Sequence, residues 1–176
     1  IGKDLKLPRY IRITDLNYDG TLRDLEWKSI SKEDAKNYIL NEGDFLFART
    51  GATVGKTFLY QKNHGHCAYA GYLIRFKPDS KNLNPRFLFE LTHSKLYWIW
   101  LLSIQTWGVQ PNVNAEQYSN MPILLPPLPE QKQIASILSN IDTQIQKEKL
   151  HKSNLERLKK GLMQKLLTGQ IRVMVR

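Results

Sequence analysis

From residue 130 to about residue 168 the chain carries no proline, and its only glycine is Gly161. Within that stretch Ile134, Leu138, Ile141 and Ile145 step by four, three and four, the seam spacing of a coiled coil. The seam then meets polar Glu148 and Lys152 and resumes at Leu155, Leu158 and Leu162, and Gly169 supplies a C-terminal stop. A helix of that extent, at about 1.5 Å per residue, is a rod of roughly 58 Å. Such a rod cannot fold back on a small domain of its own chain, so its stripe is expected to pair with another long helix. The polar break at Glu148 and Lys152 reads either as a register device or as a solvated waist.

The remainder is mixed α and β. Tyr10, Ile11, Ile13 and Leu16 form a strand-like run that ends at the turn Asn17-Tyr18-Asp19-Gly20. Ser31 followed by Asp34 marks a helix start, with the helix running to about Tyr38. Gly43-Asp44 turns into the β run Phe45-Leu46-Phe47-Ala48, and residues 57–60 and 69–76 are further strands. Together these imply a compact, largely antiparallel sheet or barrel-like core. After Asn84-Pro85, Phe87, Leu88, Leu91, Trp98, Ile99 and Leu102 recur at helical spacing, and the cluster Tyr97, Trp98, Trp100 fits core packing better than base stacking. The expected class is α+β: a small domain of short strands over residues 1–125, then a helical region over 126–176 that forms an antiparallel coiled coil with a partner.

The 176 residues carry a formal charge of +10, which favours anionic partners, nucleic acid foremost. Residues 129–176 hold ten basic against four acidic side chains, with Arg157, Lys159, Lys160 and Lys165 prominent. These are either a solvated helical face suiting the C-terminal dipole or a contact for DNA or an acidic protein. The lone Cys67 cannot form an intrachain disulfide, and the longest apolar stretch, residues 96–102, is too short to span a bilayer, so a cytoplasmic protein without membrane contact is expected. The chain opens at Ile1 rather than methionine, so upstream sequence is also expected.

Few residues invite chemistry. Thr50-Gly51-Ala52-Thr53-Val54-Gly55-Lys56-Thr57 is close to a phosphate-binding loop, but Thr50 stands where the first glycine belongs, and Phe58-Leu59-Tyr60 reads as strand rather than helix. A hairpin tip holding Arg49, Thr50, Thr53 and Lys56 suits phosphate or base-edge contacts instead. Histidines 64, 66, 93 and 151 show no metal-ligand pattern beyond His64-x-His66, and no nucleophile elbow, cofactor fingerprint or paired nuclease acids stand out, so neither a catalytic centre nor a bound metal is expected. The amide-rich segment Gly108-Val109-Gln110-Pro111-Asn112-Val113-Asn114 offers side chains that can pair with adenine edges, and that are equally at home in a turn.

The run Pro126-Pro127-Leu128-Pro129-Glu130-Gln131-Lys132-Gln133-Ile134-Ala135 and the later Leu158-Lys159-Lys160-Gly161-Leu162-Met163-Gln164-Lys165-Leu166-Leu167-Thr168-Gly169-Gln170-Ile171-Arg172-Val173 resemble the helical region following each target recognition domain in Type I restriction-modification specificity subunits. Tyr10-Ile11-Arg12-Ile13-Thr14-Asp15, Gly43-Asp44-Phe45-Leu46-Phe47-Ala48-Arg49-Thr50-Gly51 and Asn112-Val113-Asn114-Ala115 are similar to pieces of such a recognition domain. The resemblance implies a reader of one half of a bipartite double-stranded DNA site, with the helix as spacer. It implies modification subunits that supply S-adenosylmethionine chemistry, and a restriction subunit that uses ATP and Mg. A full-length member has two recognition domains and two helical regions; this chain has one of each, so it is either a natural half-subunit or a fragment, and a half-subunit is expected to pair with a second copy through Ile134, Leu138, Ile141, Ile145, Leu155, Leu158 and Leu162. The DNA-reading residues expected on this basis are Arg12, Thr14, Arg49, Thr50, Thr53, Lys56, Gln110, Asn112 and Asn114. The competing expectation is an assembly adaptor that uses the coiled coil without reading sequence.

Overall fold

A computed structural model describes residues 4–23, 27–105 and 110–174. Two compact units emerge, residues 1–135 and 136–176.

The first unit is organised by one strand that has no solvent-facing side. β3 (Phe45–Ala48) is buried at all four positions. Side chains alternate across a strand, so Phe45 and Phe47 enter one apolar cluster while Leu46 and Ala48 enter another. This is why Phe-Leu-Phe-Ala is a continuous apolar run and not an alternating one. β3 is the centre of a three-stranded antiparallel sheet, flanked by β4 (Thr57–Leu59) and β6 (Leu73–Phe76). A second sheet has β1 (Arg9–Ile11) in the middle, antiparallel to β2 (Lys28–Ser29) and parallel to β5 (Cys67–Tyr69). The expected antiparallel core is thus two small sheets, one of them mixed.

Four expected elements change shape. Residues 69–76 are not one strand: the chain turns at Gly71-Tyr72 and passes from the β1 sheet to the β3 sheet. The strand expected through Leu16 stops at Ile11, because Ile13–Asp15 close a 3-10 turn. α1 (Lys32–Ala35) starts where expected, the Ser31 hydroxyl accepting from the Asp34 N–H, and ends three residues early. The helix expected across residues 87–102 is two, α2 (Pro85–Thr92) and α3 (Lys95–Ile104). The Asn84 side chain caps the first, and the Ser94 hydroxyl accepts from the Tyr97 N–H to cap the second. Both pack on the Phe45–Phe47 face of the sheet, where the buried hydroxyls of Thr57 and Thr92 meet at 2.9 Å.

After the short helix α4 (Ala115–Ser119), α5 runs unbroken over Leu128–Leu167, forty residues or about 60 Å. Its start is fixed inside the first unit. Gln131 is fully buried; its amide oxygen accepts from the Asn84 N–H at 2.8 Å, and its amide nitrogen donates to the Asn82 and Pro126 carbonyls at 2.9 and 2.8 Å. One side chain therefore satisfies three backbone groups. Ala135 is buried, and Ile134, expected on the pairing seam, packs against the same core. Among the described residues, no helix is long and apolar enough to cross a membrane.

Gln131→Leu keeps the volume but orphans those three backbone groups. Each buried unsatisfied group costs about 1–3 kcal/mol, so urea unfolding of the variant is expected to show a loss of about 3 kcal/mol or more.

Candidate nucleic-acid interface

β3 and β4 are joined by a loop over residues 49–56 whose base is held from several sides. Ala48 N–H donates to the Lys56 carbonyl (2.8 Å) and Gly55 N–H to the Ala48 carbonyl (3.0 Å), closing the hairpin. Two buried phenols secure the same two residues from behind: Tyr118 donates to the Ala48 carbonyl at 2.9 Å and Tyr97 to the Gly55 carbonyl at 2.8 Å. Burial pushes the Tyr118 hydroxyl up to about 12, and burial together with neighbouring Tyr118 raises Tyr97 as well, so both stay neutral donors. Gly55 has φ of +86°, and a Cβ there would sit 2.2 Å from a Leu101 methyl, so backbone and space both require glycine. Gly51–Thr53 form a single 3-10 turn, tightened by a 2.9 Å bond from the Thr53 hydroxyl to the Thr50 carbonyl.

The amide-rich segment docks beside this loop. Thr50 and Asn112 form an antiparallel bridge, Gly51 N–H donates to the Pro111 carbonyl (2.9 Å), and Val113 N–H donates to the Arg49 carbonyl (2.9 Å). Val113 is fully buried while Asn112 and Asn114 are exposed, the alternation of an extended segment laid on a core. Gln110 is exposed, and its amide nitrogen lies 3.4 Å from where a side chain on Gly51 would begin. Arg49, Thr50, Gln110 and Asn112 are thereby brought together from positions some sixty residues apart in sequence. No hydrogen-bond partner for the buried Nε of Arg49 exists among the described residues. The Asn114 oxygen is committed, since it accepts from the Gln117 N–H and caps α4. Gly108 and Val109 lie outside the described residues.

Other expected site residues sit differently. Lys56 is only 6% exposed. Its ammonium donates to the Leu16 carbonyl at 2.9 Å and lies 4.3 Å from the centre of the Tyr18 ring. Burial, with the nearby Arg23 charge adding, lowers its pKa. The expected phosphate contact is instead an internal tie between the loop and residues 16–18, because the backbone turn at Gly55 directs this side chain inward. Arg12 holds the buried Asp15 carboxylate with one guanidinium edge, Nη2 and Nε donating at 2.7 and 3.0 Å, which neutralises much of its charge. Thr14 is exposed on the same 3-10 turn. Tyr18 was not among the expected site residues; it is 61% exposed, and its hydroxyl donates to the Ala52 carbonyl at 3.2 Å. An aromatic in the turn Asn17-Tyr18-Asp19-Gly20 was its only sequence signal.

Chemically, the surface is a set of amides, a hydroxyl and a guanidinium on a braced backbone. Such groups make paired hydrogen bonds to base edges and single ones to phosphates. Among the described residues no group of three His, Cys, Asp or Glu could hold a metal ion.

Comparison with known proteins gives a consistent picture. Residues 5–157 match the family model of the Type I restriction modification DNA specificity domain. The chain is 33% identical over 144 residues to a Methanocaldococcus jannaschii protein named as a type I restriction enzyme MjaX specificity subunit, and 34% identical over 148 residues to the MjaVIII specificity subunit of the same organism. Those alignments take in 80% and 84% of this chain but 34% and 33% of the relatives, so the chain spans about a third of their length. Among solved structures, a chain of a type I R-M system superposes with a TM-score of 0.66 at 20% identity, covering 96% of this chain and 45% of that one. The HsdS subunit from Thermoanaerobacter tengcongensis gives 0.64, also at 20% identity, over 89% of this chain and 41% of that one. These likenesses show the fold.

The two roles of Lys56 separate cleanly. As an internal tie, its hydrogen bond is of the charged kind, worth about 1.5–3 kcal/mol. Lys56→Ala is therefore expected to lower unfolding stability by about that amount, while the salt slope of binding to random-sequence duplex, which counts phosphate contacts, stays unchanged.

Proposed function

The chain belongs to the Type I restriction modification DNA specificity family, and on that premise we propose that it reads one half of a two-part double-stranded DNA target. The observation that carries this reading is the Thr50–Asn112 bridge, which sets Arg49 and Thr50 against Gln110 and Asn112 on one braced surface. Rigid mounting matters, because a base-reading amide discriminates only if it cannot swing to satisfy the wrong edge. The excess of positive charge supports a polyanionic ligand. In this reading the chain selects the site in the cytoplasm, and partner subunits supply methylation and cleavage.

The second unit supports a pairing role. Leu138, Ile141, Ile145, Leu155, Leu158 and Leu162 are 39–58% exposed on one helix. Burying a Leu or Ile is worth about 1.5–3 kcal/mol, so this stripe favours association with a second copy. Two copies related by a two-fold axis would read a target whose halves are inverted repeats.

Arg49→Ala and Asn112→Ala are each expected to weaken binding to the preferred duplex by about 1–3 kcal/mol and to relax preference at one or two base positions. Selection of bound duplexes from a random pool, with a modification subunit present, reads both effects. An assembly adaptor would instead enrich no sequence. Sedimentation at micromolar concentration is expected to report a dimer, and the selected site should be palindromic; a monomer with an asymmetric site contradicts the paired reader.

A further inference from the structure

Continuing the seam of α5 in strict steps of seven shows a pattern that its apolar members alone conceal. From Ile134 the steps reach Ile141, Glu148, Leu155 and Leu162; from Leu138 they reach Ile145, Lys152, Lys159 and Leu166. The register runs through the polar waist without a break, and Leu158 lies beside the seam rather than in it. The sequence of layers also reads the same backwards about Leu150 in the way an antiparallel pair requires.

We propose that two copies of α5 pair antiparallel with the two-fold axis level with Leu150, and that Glu148 of each copy meets Lys152 of the other across the seam to fix this register. This rests on the paired reading above and specifies its geometry. In this register Ile145 faces Leu155 and Leu138 faces Leu162, while Leu166 comes level with Ile134, whose side chain already packs against the core of its own unit. Between Leu138 and Leu162 every apolar seam residue meets an apolar one except Ile141, which faces Lys159, whose long aliphatic stem can cover it while the ammonium reaches water. A shift of one heptad in one direction sets Ile145 against Glu148. The opposite shift buries Lys152 against Leu155 and leaves Leu138 opposite Gly169, past the end of the helix. Both carry a charge against an apolar layer at the centre, where desolvation is most costly. The ends agree as well: α5 broadens its exposed apolar face at Leu158, Leu162 and Met163, and this register lays that face beside Ile137 and Leu138 of the second copy, which are themselves exposed. In the single chain Lys152 has only a 3.9 Å contact with Glu156, both well exposed, so it is available for a better partner.

The experiment uses the full chain and reads its dimer dissociation constant by sedimentation equilibrium. E148K and K152E each set like charges against each other in the two central layers, so each variant alone is expected to self-associate about tenfold or more weakly than wild type. An equimolar mixture of the two restores opposite charges in both layers, and association is expected to return to within about threefold of wild type. Each variant also carries like charges four apart on its own helix, so the recovery can arise only across the interface. A mixture no tighter than either variant overturns the register. In a second arm, the I145C/L155C double variant is expected to oxidise to a covalent dimer, with fully buried Cys67 unreactive. Cross-linking by I145C/L162C in its place means a one-heptad shift and also overturns it. A wild-type chain that sediments as a monomer removes the paired reading itself, whereas a wild-type dimer whose charge mixture fails removes the register alone.

Discussion

Everything in the first unit is placed by a strand that has to be covered twice. β3 turns two phenyl rings to one side and Leu46 and Ala48 to the other, so a layer is needed on each face. α2 and α3 cover the phenyl side; the β1 sheet and Leu40 cover the other. Because the strand is buried along its whole length, its exit at Ala48 is a fixed point from which the following loop can be aimed. A half-exposed strand would give that loop a softer footing.

The braces on the loop follow from this. Ala48 and Gly55 close the hairpin, and their carbonyls take the hydroxyls of Tyr118 and Tyr97, which reach them from α4 and α3. Lys56 then binds the loop to residues 16–18 on the other flank. A buried ammonium is costly unless hydrogen-bonded, and here the Leu16 carbonyl and the Tyr18 ring share that task. The outcome is a tip with a fixed backbone, beside which the Gln110 and Asn112 side chains stand exposed. The fold that carries it is shared with solved structures at 20% identity.

Gln131 holds a comparable position for the long helix. Its amide meets all three of its neighbouring backbone groups, so the first turns of α5 have one orientation in which nothing polar is orphaned. From Ser136 onward the apolar stripe of the helix is exposed. A forty-residue helix with so few buried side chains gains little from its own chain, and most helical stability comes from packing. The proposed pairing would bury that stripe, whose position is set by the spacing of its leucines and isoleucines.

Patterns confined to neighbouring residues were legible without coordinates. The seam spacing and absence of proline determined α5; Ser31 with Asp34 and Asn84 with Pro85 determined two helix starts; the run at Phe45 determined a strand. Each of these depends on forces acting within one or two turns of the chain, so the sequence carries them whole. Ser94 was an equally local signal, and the strong apolar period across it hid the break between α2 and α3. What only the tertiary structure decided were the facts that need two distant segments at once: the exchange of sheets at Gly71, the bridge between Thr50 and Asn112, the inward path of Lys56, and the burial of Gln131. A lysine next to a glycine in a loop looks solvated, and a glutamine in a charged helix looks exposed. Whether either is buried depends on which carbonyls arrive from elsewhere, and no local rule supplies that information.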